Sequence, residues 1–190
     1  MAFINQMMFG LTDKRCGAFA IAYWLWLEGN NTLPINDEKV VEDIYIKIRF
    51  THGTEHIDKE FSNPFKMVKY INDNYSDRYT ASLKCNSDCV LKLVQEMHVD
   101  DIVGPFPVKS ELPKLRVGEF AILMVSSDSS INPTHYVLVE KDENGINVID
   151  PVNGIRMNYA GHNIDTLNPG VFGYYNCYTA IYINPVDDKA

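Results

Sequence analysis

One unusually apolar stretch near the start of the chain constrains the fold more than any other feature. Residues 16–28, CGAFAIAYWLWLE, carry apolar side chains on almost every side of a helix. A helix of this kind must be buried, whereas a surface helix keeps one polar face. Gly29, followed by Asn30 and Asn31, provides a stop signal. We therefore expect a central buried helix with the rest of the chain packed around it.

The remaining pattern divides into a helical half and a β-rich half. Helical stripes are expected over residues 34–49, 64–74 and 87–98, the last capped by Asn86 or Ser87. Strands are expected over residues 119–126, 134–140, 146–150 and 177–183. Asn144-Gly145 predicts a hairpin tip, and residues 151–154, PVNG, end the returning strand. Helices followed by an antiparallel sheet indicate an α+β fold, in a single domain spanning residues 1–190.

Charge and hydropathy exclude several classes of partner. The net charge of -8 and the isoelectric point near 5.0 argue against a nucleic-acid partner. The apolar run is shorter than the roughly 20 residues that a membrane span requires. The opening residues, MAFINQMMFGLTDKR, lack the pattern of a cleaved export signal. We expect no membrane association, and either a cytoplasmic location in the producing cell or delivery by a route without a cleaved signal.

Cys16 stands where the apolar helix begins. A cysteine at a helix N-terminus is a candidate nucleophile because the helix dipole favours a thiolate there. Thr12 or Asp13 is expected to cap the turn before it, and Gly17 leaves space beside the sulfur. The alternative is an ordinary core cysteine, and Cys16 alone does not decide between the two.

A hairpin more than a hundred residues away adds the other groups that thiol catalysis requires. His135 opens one strand and Asp150 closes the next. Folding about Asn144-Gly145 brings Asp150 within about two residue pairs of His135, which is close enough for diagonal contact. A carboxylate in that place selects the tautomer of the imidazole and stabilises its cation.

Together, the Cys16-Gly17 pair at the head of a buried helix and the later segment HYVLVEKDENGINVIDPVNG resemble the papain-like cysteine peptidase clan. The likeness is to compact bacterial members, such as the peptidase domains of bacteriocin-processing exporters and effector proteases. It covers the layout from about residue 6 to residue 154. The resemblance implies a papain-like fold with Cys16 as nucleophile, His135 as base and acid, and Asp150 as the orienting residue.

One position departs from the family pattern. Papain-like enzymes usually place an oxyanion-binding glutamine shortly before the cysteine, where this chain has Gly10. The nearest glutamine is Gln6, ten residues upstream. We expect Gln6 to serve if the intervening loop bulges, with the backbone N–H of Cys16 as the second donor.

The other cysteines and histidines indicate structural roles. Cys85 and Cys89 would share a face if both lay on a helix, where they would be two ordinary thiols rather than a metal site. Cys177 is expected in the core. The motif HGTEH lacks the glutamate that follows the first histidine of a zinc-protease helix, so His52 and His56 are expected in a polar loop. His98 fits a helix C-terminus and His162 a loop. No metal or other cofactor is expected.

These residues predict a thiol hydrolase that cleaves an amide bond through a thioester. A cysteine protease acting on peptides or proteins is the first interpretation. A glutamine deamidase or a transglutaminase-like acyl transferase would use the same triad. A non-enzymatic papain-like module that binds a partner through its cleft is the rival. Because 15 residues precede Cys16, we expect no long inhibitory pro-segment. An unregulated protease endangers its own cell, which favours a bacterial effector or toxin.

Overall fold

The computed structural model describes residues 5–9, 13–29, 37–51, 60–96, 107–129, 133–159 and 173–186. In these ranges the helices are α1 Cys16–Leu27, α2 Glu38–Ile48, α3 Pro64–Tyr75 and α4 Asp88–Glu96, with a short 3₁₀ turn at Gln6–Met8 before them. The strands are β1 Tyr79–Cys85, β2 Phe120–Ser126, β3 His135–Asp142, β4 Gly145–Asp150, β5 Ile155–Tyr159 and β6 Tyr175–Pro185.

Each predicted helix is present among the described residues, for identifiable local reasons; the expected helical residues 34–36 and 97–98 lie outside them. Asp37 and Asn63 accept backbone N–H bonds at the starts of α2 and α3, and Pro64 occupies the first turn of α3. The Ser87 hydroxyl accepts the N–H of Val90 at the start of α4. Gly29 adopts a φ of 69° just beyond α1, a conformation that suits glycine.

The strands form one antiparallel sheet in the order β1-β6-β2-β3-β4-β5. The α+β prediction is therefore confirmed, with two strands that the sequence pattern missed. β5 follows the turn after Asp150, and β1 lies between α3 and α4 in the chain. The strict order of helices first and sheet second is thus wrong, because β1 returns to pair with the edge of β6.

The sheet has an apolar core on each face, and every residue of β2 is buried. The apolar helix α1 packs against β3 on one face, with α2 against α1, as the central buried helix predicted. On the other face, Leu112 and Leu115 cover the sheet, and the Tyr182 hydroxyl donates to the carbonyl of Pro113 at 2.9 Å. The packing of α1 on β3 brings the N-terminus of α1 to the first residue of β3.

Candidate active site

Cys16 is the first residue of α1 and is only 3% exposed. The carbonyl of Arg15 accepts the first intrahelical bond, from Phe19, so the free N–H groups of the helix start at Cys16. Within the described residues no side chain caps α1 itself. Asp13 caps the turn before Cys16, as expected, because its Oδ1 accepts the N–H of Arg15 at 2.8 Å. Thr12 lies outside the described residues.

Close packing against Ser62 explains the glycine at position 17. A Cβ on this residue would lie 2.6 Å from both Cβ and Oγ of Ser62. Such a contact is far shorter than real side chains show, so any other residue would force α1 away from the start of α3. Gly17 therefore fixes the depth at which Cys16 sits.

His135 and Asp150 meet across the β3–β4 hairpin as the sequence predicted. The last paired residues are Leu138 and Ile149, which sets Asp150 opposite Val137 and diagonal to His135. His135 Nε2 lies 2.7 Å from Asp150 Oδ1, and both residues are buried. The hairpin tip differs slightly from expectation: Asp142 pairs with Gly145, so the two-residue loop is residues 143–144 and Gly145 opens β4.

The Asp150 contact assigns the roles of the two imidazole nitrogens. An ionised carboxylate can only accept, so the proton belongs on Nε2 of His135 and Nδ1 is the nitrogen left for Cys16. Asp150 is itself held, because its Oδ1 also accepts the N–H of Val152 at 2.9 Å. The carboxylate is therefore oriented by the turn that follows it.

The electrostatics of the site favour a charged imidazole. Burial by itself lowers the pKa of His135, but hydrogen bonds to Asp150 and Cys16, together with the charges of both groups, outweigh it and raise the pKa to about 9. Cys16 thus acts on His135 by a hydrogen bond and by charge. This arrangement stabilises the charged form of the His135 imidazole.

Tyr174 completes the surroundings of the histidine and was missed by sequence reasoning. Its ring lies against the imidazole of His135, with centroids 5.0 Å apart and planes tilted by 37°. Burial raises the pKa of Tyr174, as do the charge of Asp150 and a hydrogen bond to it. The strand expected at residues 177–183 begins after Tyr174, and nothing in the sequence pattern singled out this one ring.

Gln6 lies in the same cleft as Cys16 and His135. The 3₁₀ turn that carries it is seated on the turn after Asp150: the N–H of Gln6 donates to the Pro151 carbonyl at 2.9 Å, and that of Met7 to the Val152 carbonyl at 3.2 Å. The Gln6 side chain donates through Nε2 to the carbonyl of Asp13 at 2.8 Å. The glutamine expected to serve as an oxyanion donor thus lines the same cleft as the thiol. Gly10 lies outside the described residues.

The cleft has a volume of about 260 Å³ and is open to solvent on one side. Phe61 and Val152 contribute apolar lining, while Ser127 and Thr134 contribute hydroxyls. Lys14 lines the cleft, but the guanidinium of Arg15 is engaged by Asp13, Glu38 and Glu42. Arg15 is therefore not a source of positive charge for the Cys16 thiolate.

Among the other candidates that the structure describes, Cys85 and Cys177 do not line this cleft. Cys85 ends β1 instead of lying on α4, so it does not share a helical face with Cys89, whose side chain lies outside the described part of the chain. Cys177 is fully buried, as expected. No group of three or more potential metal ligands occurs in the described ranges, and no helix there is long and apolar enough to cross a membrane. Four histidines fall outside the described residues: His52, His56, His98 and His162.

Comparison with known proteins adds no relative to this description. No protein-family model, curated protein or solved structure matches the chain. The inference of function therefore depends on the geometry of Cys16, His135, Asp150 and Gln6.

Proposed function

We propose that the protein is a thiol hydrolase of the papain-like type, which cleaves an amide bond with Cys16, His135 and Asp150. The observation that carries the proposal is the bond from His135 Nε2 to Asp150, which leaves Nδ1 for a thiol at a helix N-terminus. An imidazole held in this tautomer between a carboxylate and a cysteine has the order of groups that nucleophilic thiol catalysis uses.

The reaction begins with the proton of Cys16 on Nδ1 of His135. The thiolate attacks the carbonyl carbon, a C–S bond forms, and the carbonyl electron pair moves onto oxygen. The backbone N–H of Cys16 and the amide of Gln6 donate to that oxyanion. When the carbonyl re-forms, the C–N bond breaks, and the leaving amine takes the proton from His135. Water then loses a proton to His135, attacks the thioester and releases the acid and the thiolate.

The same intermediate accommodates three outcomes. Cleavage of a peptide bond makes the protein a protease, release of ammonia from a glutamine side chain makes it a deamidase, and attack by an amine makes it a transferase. We propose protease first because the cleft is open on one side, as an extended chain requires. A role as an exported effector or toxin stays a prediction.

The test is Cys16-dependent turnover of a mixed peptide library, read by mass spectrometry with the Cys16→Ala variant as control. New fragments indicate a protease, a gain of about one mass unit without fragments indicates a deamidase, and an added amine indicates a transferase. An acyl group trapped on Cys16 by rapid acid quench would support the thioester. A catalytically inactive binding module would retain peptides without changing them and would leave Cys16 unacylated.

A further inference from the structure

The orientation of the Gln6 side chain depends on a single hydrogen bond. Its Nε2 donates to the carbonyl of Asp13 at 2.8 Å, whereas its Oε1 is buried with no partner among the described residues. Nothing at the oxygen end therefore holds the amide in this orientation. If the Asp13 carbonyl moved, the amide would lose the one contact that distinguishes its two ends.

Asp13 is in turn held by Arg15. The carboxylate of Asp13, with a side chain only 4% exposed, accepts from the Arg15 guanidinium at both oxygens: Nη2 donates to Oδ2 at 2.7 Å and Nε to Oδ1 at 3.1 Å. The backbone N–H of Arg15 also donates to Asp13 Oδ1 at 2.8 Å. A paired fork of this kind fixes the position of a carboxylate more tightly than a single contact does.

Arg15 is anchored on two further sides. Its Nη1 lies 3.2 Å from a carboxylate oxygen of Glu38 and of Glu42 on α2. Its guanidinium lies over the ring of Phe9 at 4.8 Å, and Phe9 directly follows the 3₁₀ turn that carries Gln6. Arg15 therefore joins α2, Asp13 and the segment that carries Gln6 at one point.

We propose that Arg15 is a positioning residue for the oxyanion site: through Asp13, it fixes the Gln6 amide with nitrogen, rather than oxygen, available as a donor. This inference rests on the proposed function. Nε2 carries two N–H groups, and the bond to Asp13 uses one of them. In the opposite orientation Oε1 would take the place of Nε2 and repel a developing oxyanion.

The first test compares two reactions of the same thiol. Hydrolysis forms an oxyanion, whereas alkylation by iodoacetamide is a displacement at carbon that forms none. In Arg15→Met we expect kcat to fall about 10²-fold with KM little changed. The rate of Cys16 alkylation should stay within about twofold of wild type. Arg156→Met is the matched control, since it removes an arginine paired with two carboxylates at the far end of the hairpin.

A double-mutant cycle tests whether Arg15 acts through Gln6. Gln6→Ala should lower kcat about as much as Arg15→Met, and the double variant should lose little more, because both changes remove one function. The proposal would be overturned if the kcat losses of the two single variants multiplied in the double variant. It would also be overturned if Cys16 alkylation slowed in parallel with kcat, or if Arg15→Met were as active as Arg156→Met. If Arg15→Met does not fold, Arg15→Lys keeps the charge without the fork and should lose about tenfold in kcat.

A measurement without substrate separates this inference from the proposed function. In wild type the two Nε2 protons of Gln6 should give well-separated NMR resonances, because one is bonded to Asp13. The pair is assigned by its loss in Gln6→Ala, and in Arg15→Met it should converge. Unchanged resonances would overturn the positioning role even if the enzyme is active. Convergence without any Cys16-dependent turnover would instead defeat the proposed function alone.

Discussion

Cys16 and Cys177 are both buried cysteines, and the contrast between their surroundings is instructive. Cys16 begins a helix and faces His135, whereas Cys177 lies within β6. Burial raises the pKa of Cys177 to about 12, with further contributions from the nearby Cys85 and Asp128. Exposure therefore does not separate the two thiols, since they are 3% and 0% exposed. What separates them is that a histidine side chain faces Cys16.

The largest expected difference appears when each cysteine is replaced by alanine. Cys16→Ala should lower hydrolysis by at least about 10⁴-fold, because the nucleophile is lost, and should retain the fold. Cys177→Ala should keep its activity but lose about 1–2 kcal/mol of unfolding free energy through a core cavity. Turnover and thermal melting of both variants check this. Equal loss of activity in the two variants would show that Cys16 and Cys177 do not differ in their contribution to hydrolysis.

Chemical labelling tests the same contrast without a substrate. At pH 6, iodoacetamide should modify Cys16 roughly 10³-fold faster than Cys177, since only a thiolate reacts and Cys177 stays protonated. Peptide mapping of partially labelled protein gives both rates. Free cysteine in the same tube is the reference: a Cys16 that reacts no faster than this reference would be an inert core thiol.

Removal of Asp150 should reduce the difference between Cys16 and Cys177, because the histidine that faces Cys16 would lose the carboxylate that orients it. Asp150→Ala deletes the acceptor that holds Nε2 of His135, so kcat should fall about 10²-fold while the thiol remains in place. Asp142→Ala is the matched control, because Asp142 lies at the opposite end of β3. A similar kcat in the two variants would show that the His135–Asp150 bond is dispensable.

The smallest expected effect is a shift in the titration of His135. The NMR midpoint should lie near pH 9 in wild type and in Cys177→Ala, and should fall in Cys16→Ala, which removes one of the groups that raise it. Because the folded pKa exceeds the ordinary value of 6.5, the contribution of His135 to stability is complete below pH 6.5 and is lost as the pH rises through about 9. Hydrolysis should decline over the upper part of that range. A midpoint unchanged in Cys16→Ala would mean that the two side chains do not interact.

Sequence reasoning was most successful where one local rule dominated. Helix α1 is apolar on almost every side, so its burial could be predicted without knowing what packs against it. The turn at residues 143–144 fixes the register that aligns His135 with Asp150. β1 was missed although YTASLKC alternates apolar and polar residues, because this short segment lies between two helical segments of the chain. Its pairing partner, β6, lies about a hundred residues later, so the place of β1 at the edge of the sheet could not be predicted from the local pattern.

The candidate catalytic residues could be predicted from the sequence, but the residues that pack around them could not. Cys16, His135 and Asp150 each occupy the end of an element, where sequence gives position. Tyr174 was not predictable because its place depends on how the segment before β6 returns to the sheet. Ser62 was missed for a similar reason: its contact with Gly17 joins two helices that are distant in the chain.

The four-residue turn after Asp150 ties two separate parts of the machinery to one piece of backbone. Its N–H at Val152 holds the carboxylate that orients the base, and its carbonyls at Pro151 and Val152 seat the segment of Gln6. A displacement of this turn would therefore shift the Asp150 carboxylate and the Gln6 segment together. An insertion in this turn would disturb proton transfer and oxyanion binding in the same event, so we expect the length of the turn to be far less tolerant of change than its side chains.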